Sequence, residues 1–368
     1  MKKIAFVAVL FAACLAFCPS VHASADAADD IMQSIDMSGI YEALGEDAEN
    51  IGTLEQIEES FGVHTILSYA VKLILRLAKP LLADTAVIFS YIAAAAVIKK
   101  LCSEFDAQGM KYASKLCTVL VISAAAVGII SADFEEAREL LLRIRAYYSA
   151  VVPVMSTLYI VGANVSAAAA SAAASDFVLS AVGILAESVV LPAMRLCLAL
   201  CIAGAVSDDV SFSPISDFVK NACSKLIAYS MMLVNSGMLL SCKLASAADG
   251  TLVRSLKFAS SSFIPVIGAA VSEATSTVLG SVSAVRTSFG AFGVIALLYL
   301  LLPTLIRIAV HKGVLGLAAS FAKALGCDAE SSLLSSVSGI YAVALSALIA
   351  TAVCFTMSAA ILAGTKAV

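Results

Sequence analysis

The feature that most constrains this chain is a set of apolar runs long enough to cross a lipid bilayer. The clearest run, 289–310, is apolar nearly all round and leads into a basic cluster of Arg307, His311 and Lys312. About 20 apolar helical residues cover the hydrocarbon thickness of a membrane. Hydrophobic residues make up 61% of the 368 and charged residues only 14%, unlike a soluble domain. The sequence therefore predicts an all-α, polytopic membrane helix bundle with about seven or eight spans.

Residues 1–25 have the three parts of a secretory signal peptide. Lys2 and Lys3 form the basic start, 4–17 form the apolar core, and the small residues around Ala23 provide a cleavage site. The alternative is an uncleaved first membrane helix. A signal peptide is the better interpretation, because the apolar core is short for a membrane span.

Residues 26–79 are predicted to form an acidic, extracytoplasmic helical arm. Lys and Arg are absent between 24 and 71, whereas Asp and Glu are frequent there, and translocated segments are poor in basic residues. Apolar residues at helical spacing predict short amphipathic helices, and the basic stretch 63–79 is predicted to lie on the membrane surface. The arm is either a docking segment for an extracytoplasmic partner or a solvated extension.

Residues 80–368 are predicted to form the multi-pass transmembrane bundle. The first span, 81–98, is followed by a short loop rich in lysine (Lys99, Lys100, Lys111, Lys115). The positive-inside rule therefore predicts that this loop is cytoplasmic and the arm is outside. Later spans are predicted at 116–131, 150–174, 177–206, 222–247, 289–310 and 333–362. Pro192 is expected to kink or break the fourth of these seven.

Polar side chains inside the apolar runs are the candidate functional residues, because charges in a bilayer are costly and usually face a bundle interior or water. Four are scattered over the spans: Asp84, Glu187, Arg195 and Asn235. Five more form a polar stripe on one side of 263–285: Ser272, Glu273, Ser276, Thr277 and Ser281. The functional interpretation is a polar conduit or a site where helices couple to partners. The structural alternative is ordinary hydrogen bonding between helices.

Enzymatic and nucleic-acid functions are not predicted. The three histidines lack the spacing of metal ligands, and the phosphate-binding pattern GxxxxGK[ST] is absent. We predict no catalytic residues, no cofactor and no metal site. Most of the ten cysteines lie inside apolar runs, where they are typical small packing residues. A basic patch with interleaved aromatic residues is also missing, so nucleic acid is not an expected partner. The expected partner is the lipid bilayer.

One region resembles a known family, the stage III sporulation protein AE family. The similarity lies in Leu256-Lys-Phe-Ala259, Phe263-Ile-Pro-Val-Ile-Gly268, Ser272-Glu273, Thr277-Val278 and the apolar helix that ends Leu302-Pro303-Thr-Leu-Ile-Arg-Ile308. The order of signal peptide, acidic arm and polytopic bundle is also similar. The motifs cover about residues 250–312, and the layout covers most of the chain.

The resemblance implies an integral membrane component of the channel-like, secretion-related complex that links mother cell and forespore during endospore development. It implies the mother-cell-derived membrane around the forespore as the location. The implied partners are the other proteins of the stage III sporulation A operon and stage II sporulation protein Q, and a homo-oligomer is compatible with this role. The competing interpretations are an independent solute permease and a non-conducting membrane scaffold. The family assigns no catalytic residues.

Overall fold

The computed structural model describes residues 38–44, 63–104, 108–162, 164–206, 212–263 and 268–364, and every regular element in these ranges is a helix. The helices are α1 (Ser38–Leu44), α2 (Val63–Glu104), α3 (Gln108–Val161), α4 (Val165–Leu185), a π turn (Ala186–Val190), α5 (Leu191–Val206), α6 (Ser213–Phe263), α7 (Gly268–Ala324) and α8 (Asp328–Gly364). The all-α prediction is confirmed for this part of the chain. The predicted signal peptide, 1–25, lies outside the described residues.

Within the described residues, six helical stretches are long and apolar enough to cross a membrane: Ala83–Cys102, Gly109–Val161, Val165–Val206, Pro214–Ala245, Val285–Ala324 and Asp328–Ala359. The sequence predicted seven or eight spans. The structure has fewer candidate spans in its described residues, because apolar runs that are separate in the sequence belong to one helix. Helix α3 has 54 residues and is about 80 Å long, whereas the hydrocarbon core of a bilayer is about 30 Å thick. Likewise, the surface helix predicted at 63–79 and the first span form one continuous helix, α2.

The predicted span 150–174 is not a single helix, because the chain turns between α3 and α4. Asn164 donates from Nδ2 to the Gly162 carbonyl at 2.6 Å. A Cβ atom at Gly162 would lie 3.2 Å from the Leu158 carbonyl oxygen, so the turn favours glycine. The buried carboxylate of Asp249, on α6, accepts the backbone N–H groups of Ser166 at 3.1 Å and Ala167 at 2.7 Å. A side chain from another helix therefore caps α4.

Where the sequence predicts a kink or break at Pro192, the structure has a local irregularity and no break. Pro192 is the second residue of α5, and the chain just before it, Ala186–Val190, forms a π turn. Proline cannot donate a backbone hydrogen bond, and π turns are one of the recognised ways in which a helix absorbs such a defect. Helices α4 and α5 therefore continue each other through an irregular joint.

Helix α7 occupies the centre of the bundle. Val282 and Val285, two residues of the predicted apolar face of 263–285, are buried, and so is almost all of 292–301. Within the run 289–310, residues 292–301 are apolar all round because protein surrounds them, which is the usual reason for such a pattern in a buried helix. Two tyrosines connect α3 to its neighbours. Tyr147 Oη donates to the Gly293 carbonyl of α7 at 3.1 Å, and Tyr148 Oη donates to the Phe355 carbonyl of α8 at 2.6 Å.

The described part of the acidic arm, helix α1, packs onto the bundle. Ile40 is buried, with 1% of its surface exposed. Tyr41 makes an edge-to-face contact with Phe292 of α7 at a centroid distance of 6.4 Å. This short helix therefore docks on its own chain. It is neither free in solvent nor presented to a partner through this apolar face.

Candidate functional site

The candidate site is a buried ion network centred on Asp133 of α3, whose surface is 1% exposed. Asp133 Oδ1 accepts from Arg307 Nε at 2.9 Å. Its other oxygen, Oδ2, lies 2.6 Å from His311 Nδ1 and accepts from Tyr341 Oη at 2.5 Å. Since a carboxylate only accepts, the His311 Nδ1 atom must carry the hydrogen. One buried carboxylate thus receives three side-chain donors.

The local sequence explains how these donors converge. Arg307 and His311 are four residues apart on α7, so they lie on the same helix face and reach the same neighbour. Tyr341 comes from α8, which packs along α7. Burying an unpaired carboxylate would be strongly unfavourable, and several directed donors are the usual condition under which one is tolerated. Asp133 therefore ties α3 to both helices.

Two further carboxylates lie at the edge of the network. Glu136, one turn beyond Asp133 on α3, forms an ion pair with Arg307 Nη1. Asp84, on α2, has its Oδ2 atom 3.5 Å from His311 Nε2, and its side chain is 42% exposed. Hydrogen bonds and ion pairs therefore join three helices, α3, α7 and α8, and Asp84 of α2 lies at the edge beside a His311 Nε2 atom that has no hydrogen-bond partner.

The network lies well away from the helix ends. His311 and Arg307 precede the end of α7 at Ala324 by 13 and 17 residues, or about 20–25 Å along the helix axis. On one side it borders an apolar groove, because Phe134 and Ile308, the chain neighbours of Asp133 and Arg307, line that groove together with Ala186 and Val190 of the π turn. Asp133 and His311 are thus buried beside apolar surfaces, whereas Arg307, Glu136 and Asp84 are partly exposed.

Among the predicted site residues, Asp84 belongs to this network. Glu187 in the π turn and Arg195 on α5 are exposed, and neither joins it. Asn235 is half-buried, and its Nδ2 atom donates to the Met231 carbonyl of its own helix at 3.0 Å. The backbone of α7 includes the whole predicted stripe, but the side chains of its five members lie outside the described residues: Ser272, Glu273, Ser276, Thr277 and Ser281.

Sequence reasoning did not select Asp133, Arg307, His311 or Tyr341 as site residues. Arg307 and His311 had been grouped with Lys312 as a basic helix end, although their spacing of four residues was a usable signal for a shared face. Asp133 stands at the border between an apolar run and a segment of mixed charge, so it resembled the first residue of a solvated surface. Tyr341 lies in an apolar run and carried no signal.

The geometry fits a structural clamp better than a metal centre. All three donors to Asp133 are side-chain N–H or O–H groups, and they occupy both of its oxygens. Among the residues that the structure describes, no group of three or more His, Cys, Asp or Glu side chains is placed to hold a metal ion. The predicted absence of a metal and a cofactor stays a prediction for the chain as a whole.

Several candidate spans joined by a buried ion network define a multi-pass helical membrane protein. The family model for stage III sporulation protein AE matches residues 50–366, which is most of the chain. The chain belongs to the stage III sporulation protein AE family, a membrane protein family of sporulation, and the resemblance seen in the sequence is confirmed.

A curated relative gives the same assignment. Stage III sporulation protein AE of Bacillus subtilis (strain 168) is 22% identical over 190 residues, covering 52% of this chain and 48% of the relative. The match thus spans about half the length of that protein. No solved structure matches this chain.

Proposed function

We propose that this protein is an integral membrane component of the channel complex between mother cell and forespore, required for endospore development, and that it is not an enzyme. The observation that carries the proposal is the family match over residues 50–366. The bundle suits such a role, because a membrane component that must hold partners needs fixed helices, and the Asp133 network ties three of them together.

A role within a complex agrees with the packing of the bundle. Tyr147, Phe289 and Phe292 are almost fully buried where a single-chain passage along α7 would have to run. A conduit would then have to form between this protein and other subunits. The proposed partners are the other proteins of the stage III sporulation A operon and stage II sporulation protein Q, with further copies of this chain as a compatible addition.

The proposed location is the mother-cell-derived membrane around the forespore, with the arm outside the cytoplasm. Two features support this orientation. The lysines at the C-terminal end of α2 and the N-terminal end of α3 favour a cytoplasmic position. The described arm helix, α1, packs near Phe292, 32 residues before the end of α7 at Ala324, and the lysine-rich end lies beside that end. The signal peptide predicted at 1–25 is consistent with this arrangement.

Affinity purification tests the proposed complex. A tagged full-length protein, solubilised from sporulating cells, is expected to recover the other proteins of its operon and stage II sporulation protein Q. A tagged multi-pass permease of vegetative membranes, solubilised in parallel, is the control. Recovery of the protein alone under conditions that preserve other membrane complexes would count against the proposal, as would abundant expression in vegetative cells.

The polar stripe of α7 is proposed to line the conduit or to couple this protein to a neighbouring subunit. Replacing both Glu273 and Ser276 with leucine is expected to reduce the yield of heat-resistant spores at least about tenfold, because leucine removes the polar face. The matched control replaces Ser241 and Lys243, two exposed residues of α6, with leucine. If spore yield stays normal while the protein is present at its usual level, the stripe proposal fails and a non-conducting scaffold is favoured.

An independent solute permease is the second candidate. It is favoured by the irregular joint at Ala186–Val190 beside the Asp133 network, since broken helices near charged groups often form transporter sites. Uptake of a small solute by proteoliposomes that contain this protein alone would support the permease. Uptake equal to that of empty liposomes, across amino acids, sugars and nucleosides, would reject it for those solute classes.

A further inference from the structure

A second polar feature lies at the lysine-rich end of the bundle, away from the Asp133 network. It is a cavity of about 530 Å³ between the C-terminal ends of α2 and α5 and the N-terminal ends of α3 and α8. Three lysines, Lys99, Lys111 and Lys115, line it together with hydroxyl groups from Ser114, Thr118 and Ser332. Pockets that hold small ligands have volumes of about 300–1,000 Å³. The space is therefore sufficient for a phosphorylated headgroup.

The depth of the cavity coincides with the ends of the apolar helices. The candidate spans of α2 and α5 end at Cys102 and Val206, and those of α3 and α8 begin at Gly109 and Asp328. Residues at or next to all four of these ends line the cavity: Cys102, Lys111, Ala205 and Asp328. The α2 stretch has 20 residues, about the length that crosses the hydrocarbon core, so its end at Cys102 places the cavity near the level of the lipid headgroups.

Internal hydrogen bonds hold the wall of the cavity. Thr118 Oγ1 donates to Glu330 Oε1 at 2.6 Å, and Glu330 is only 5% exposed. Lys99 Nζ donates to the carbonyl of Gly326, a residue that adopts the left-handed conformation with φ of 73° and closes α7 before α8 begins. Such a helix end favours glycine. The wall is thus set by contacts between helices rather than by loose surface side chains.

The charge of the lining is positive overall. Three lysines face two carboxylates, Asp328 and Glu330, and Glu330 is already engaged by Thr118. The N-terminal end of α8 also meets the cavity, and the helix dipole adds a partial positive charge there. Lysine is a common partner of phosphate. The lining therefore favours an anion with several oxygen acceptors.

We propose that this cavity binds the phosphate group of an anionic ligand, which in the membrane is the headgroup of an anionic phospholipid. Basic pockets between transmembrane helices on the cytoplasmic side are known to hold such headgroups. The depth of the cavity favours lipid as the source, and a soluble phosphate compound is the other source of the same chemistry. This site is separate from the Asp133 network and does not depend on the proposed channel role.

The test uses the purified full-length protein in detergent. Retention of added phosphatidylglycerol and of phosphatidylcholine with the same acyl chains is measured by native mass spectrometry. Inorganic phosphate is tested separately through the thermal unfolding midpoint, followed by circular dichroism. We expect the protein to retain phosphatidylglycerol at least about tenfold better than phosphatidylcholine. The double variant Lys111→Gln, Lys115→Gln should lose most of this preference, because each nearby lysine contributes substantially to the attraction.

The matched control removes two lysines at the same end of the bundle, Lys100→Gln and Lys323→Gln, which do not line this cavity. It should keep the preference. If inorganic phosphate raises the unfolding midpoint of the wild type but not of the Lys111, Lys115 variant, and the lipids bind equally, the same site takes a soluble phosphate. Equal lipid retention without any effect of phosphate overturns the proposal, and so does an equal loss in both double variants. If a variant fails to fold, equal retention of the two lipids by the wild type, without any effect of phosphate, still overturns the proposal.

Discussion

Replacing Asp133 with alanine is expected to lower the free energy of unfolding by about 3–5 kcal/mol, the usual effect of removing one partner from a buried ion pair. The loss is large because His311 and Tyr341 would keep buried polar groups without the acceptor that they share, and Arg307 would lose one of its two carboxylate partners. The measurement is equilibrium unfolding of the full-length protein in mixed micelles, together with the level of the variant in sporulating cells.

Two comparisons separate the network from a general effect of mutation on α3. Glu135→Ala removes a carboxylate that is 62% exposed and lies 3.7 Å from Arg138, and such surface pairs contribute about 0–1 kcal/mol. The double variant Asp133→Ala, Arg307→Ala should be less destabilised than the sum of the two single variants, because each single variant already loses the contact that the two side chains share. Equal effects of Asp133→Ala and Glu135→Ala would contradict the buried network.

Replacing Tyr148 with alanine is expected to lower the free energy of unfolding by about 3–5 kcal/mol, as other large aromatic truncations in packed interiors do. The Tyr148 ring is 1% exposed, packs against Phe355 at a centroid distance of 5.0 Å, and its hydroxyl donates to the Phe355 carbonyl. Alanine would leave an empty space between α3 and α8 and remove the hydrogen bond from the hydroxyl. The same unfolding measurement in mixed micelles checks this value.

Tyr148→Phe separates the ring from the hydroxyl. It keeps the packing and removes one hydrogen bond, so its expected effect is about 1 kcal/mol. Tyr229→Ala is the surface control, because Tyr229 is 65% exposed on α6 and its ring has no comparable buried contact to lose. If Tyr148→Phe were as damaging as Tyr148→Ala, the packing argument would be wrong and the hydroxyl would carry the effect.

The fold could be predicted from the sequence as far as local rules reach. Apolar runs identify membrane helices, and Pro192 correctly marked the irregular joint between α4 and α5. The number of crossings could not be obtained in the same way, because hydropathy does not reveal where a long helix leaves the membrane. Helix α3 shows this best, since it joins one predicted span with the first part of another. Helix α3 ends just before Gly162, and the carboxylate of Asp249 on α6 caps the start of the next helix, α4.

The site could be predicted only in part, because its chemistry depends on long-range pairing. Asp84 was selected as a charge inside an apolar run, and it does reach the network. Asp133 and Tyr341 are 208 positions apart in the chain, and neither position alone indicates the other. A charge at the edge of an apolar run has the same sequence pattern whether it faces water or a partner helix. Tertiary packing therefore decided which polar residues meet.

Asp249 has a consequence for how the protein is made. The first turn of α4 leaves the ribosome long before the residue that completes it, since Ser166 and its acceptor are 83 positions apart. Backbone amides without an acceptor are poorly tolerated away from water. The loop before α4 must therefore remain in contact with water or an insertion factor until α6 is synthesised, and this makes assembly of the α4–α6 pair a late, post-insertion event in biogenesis.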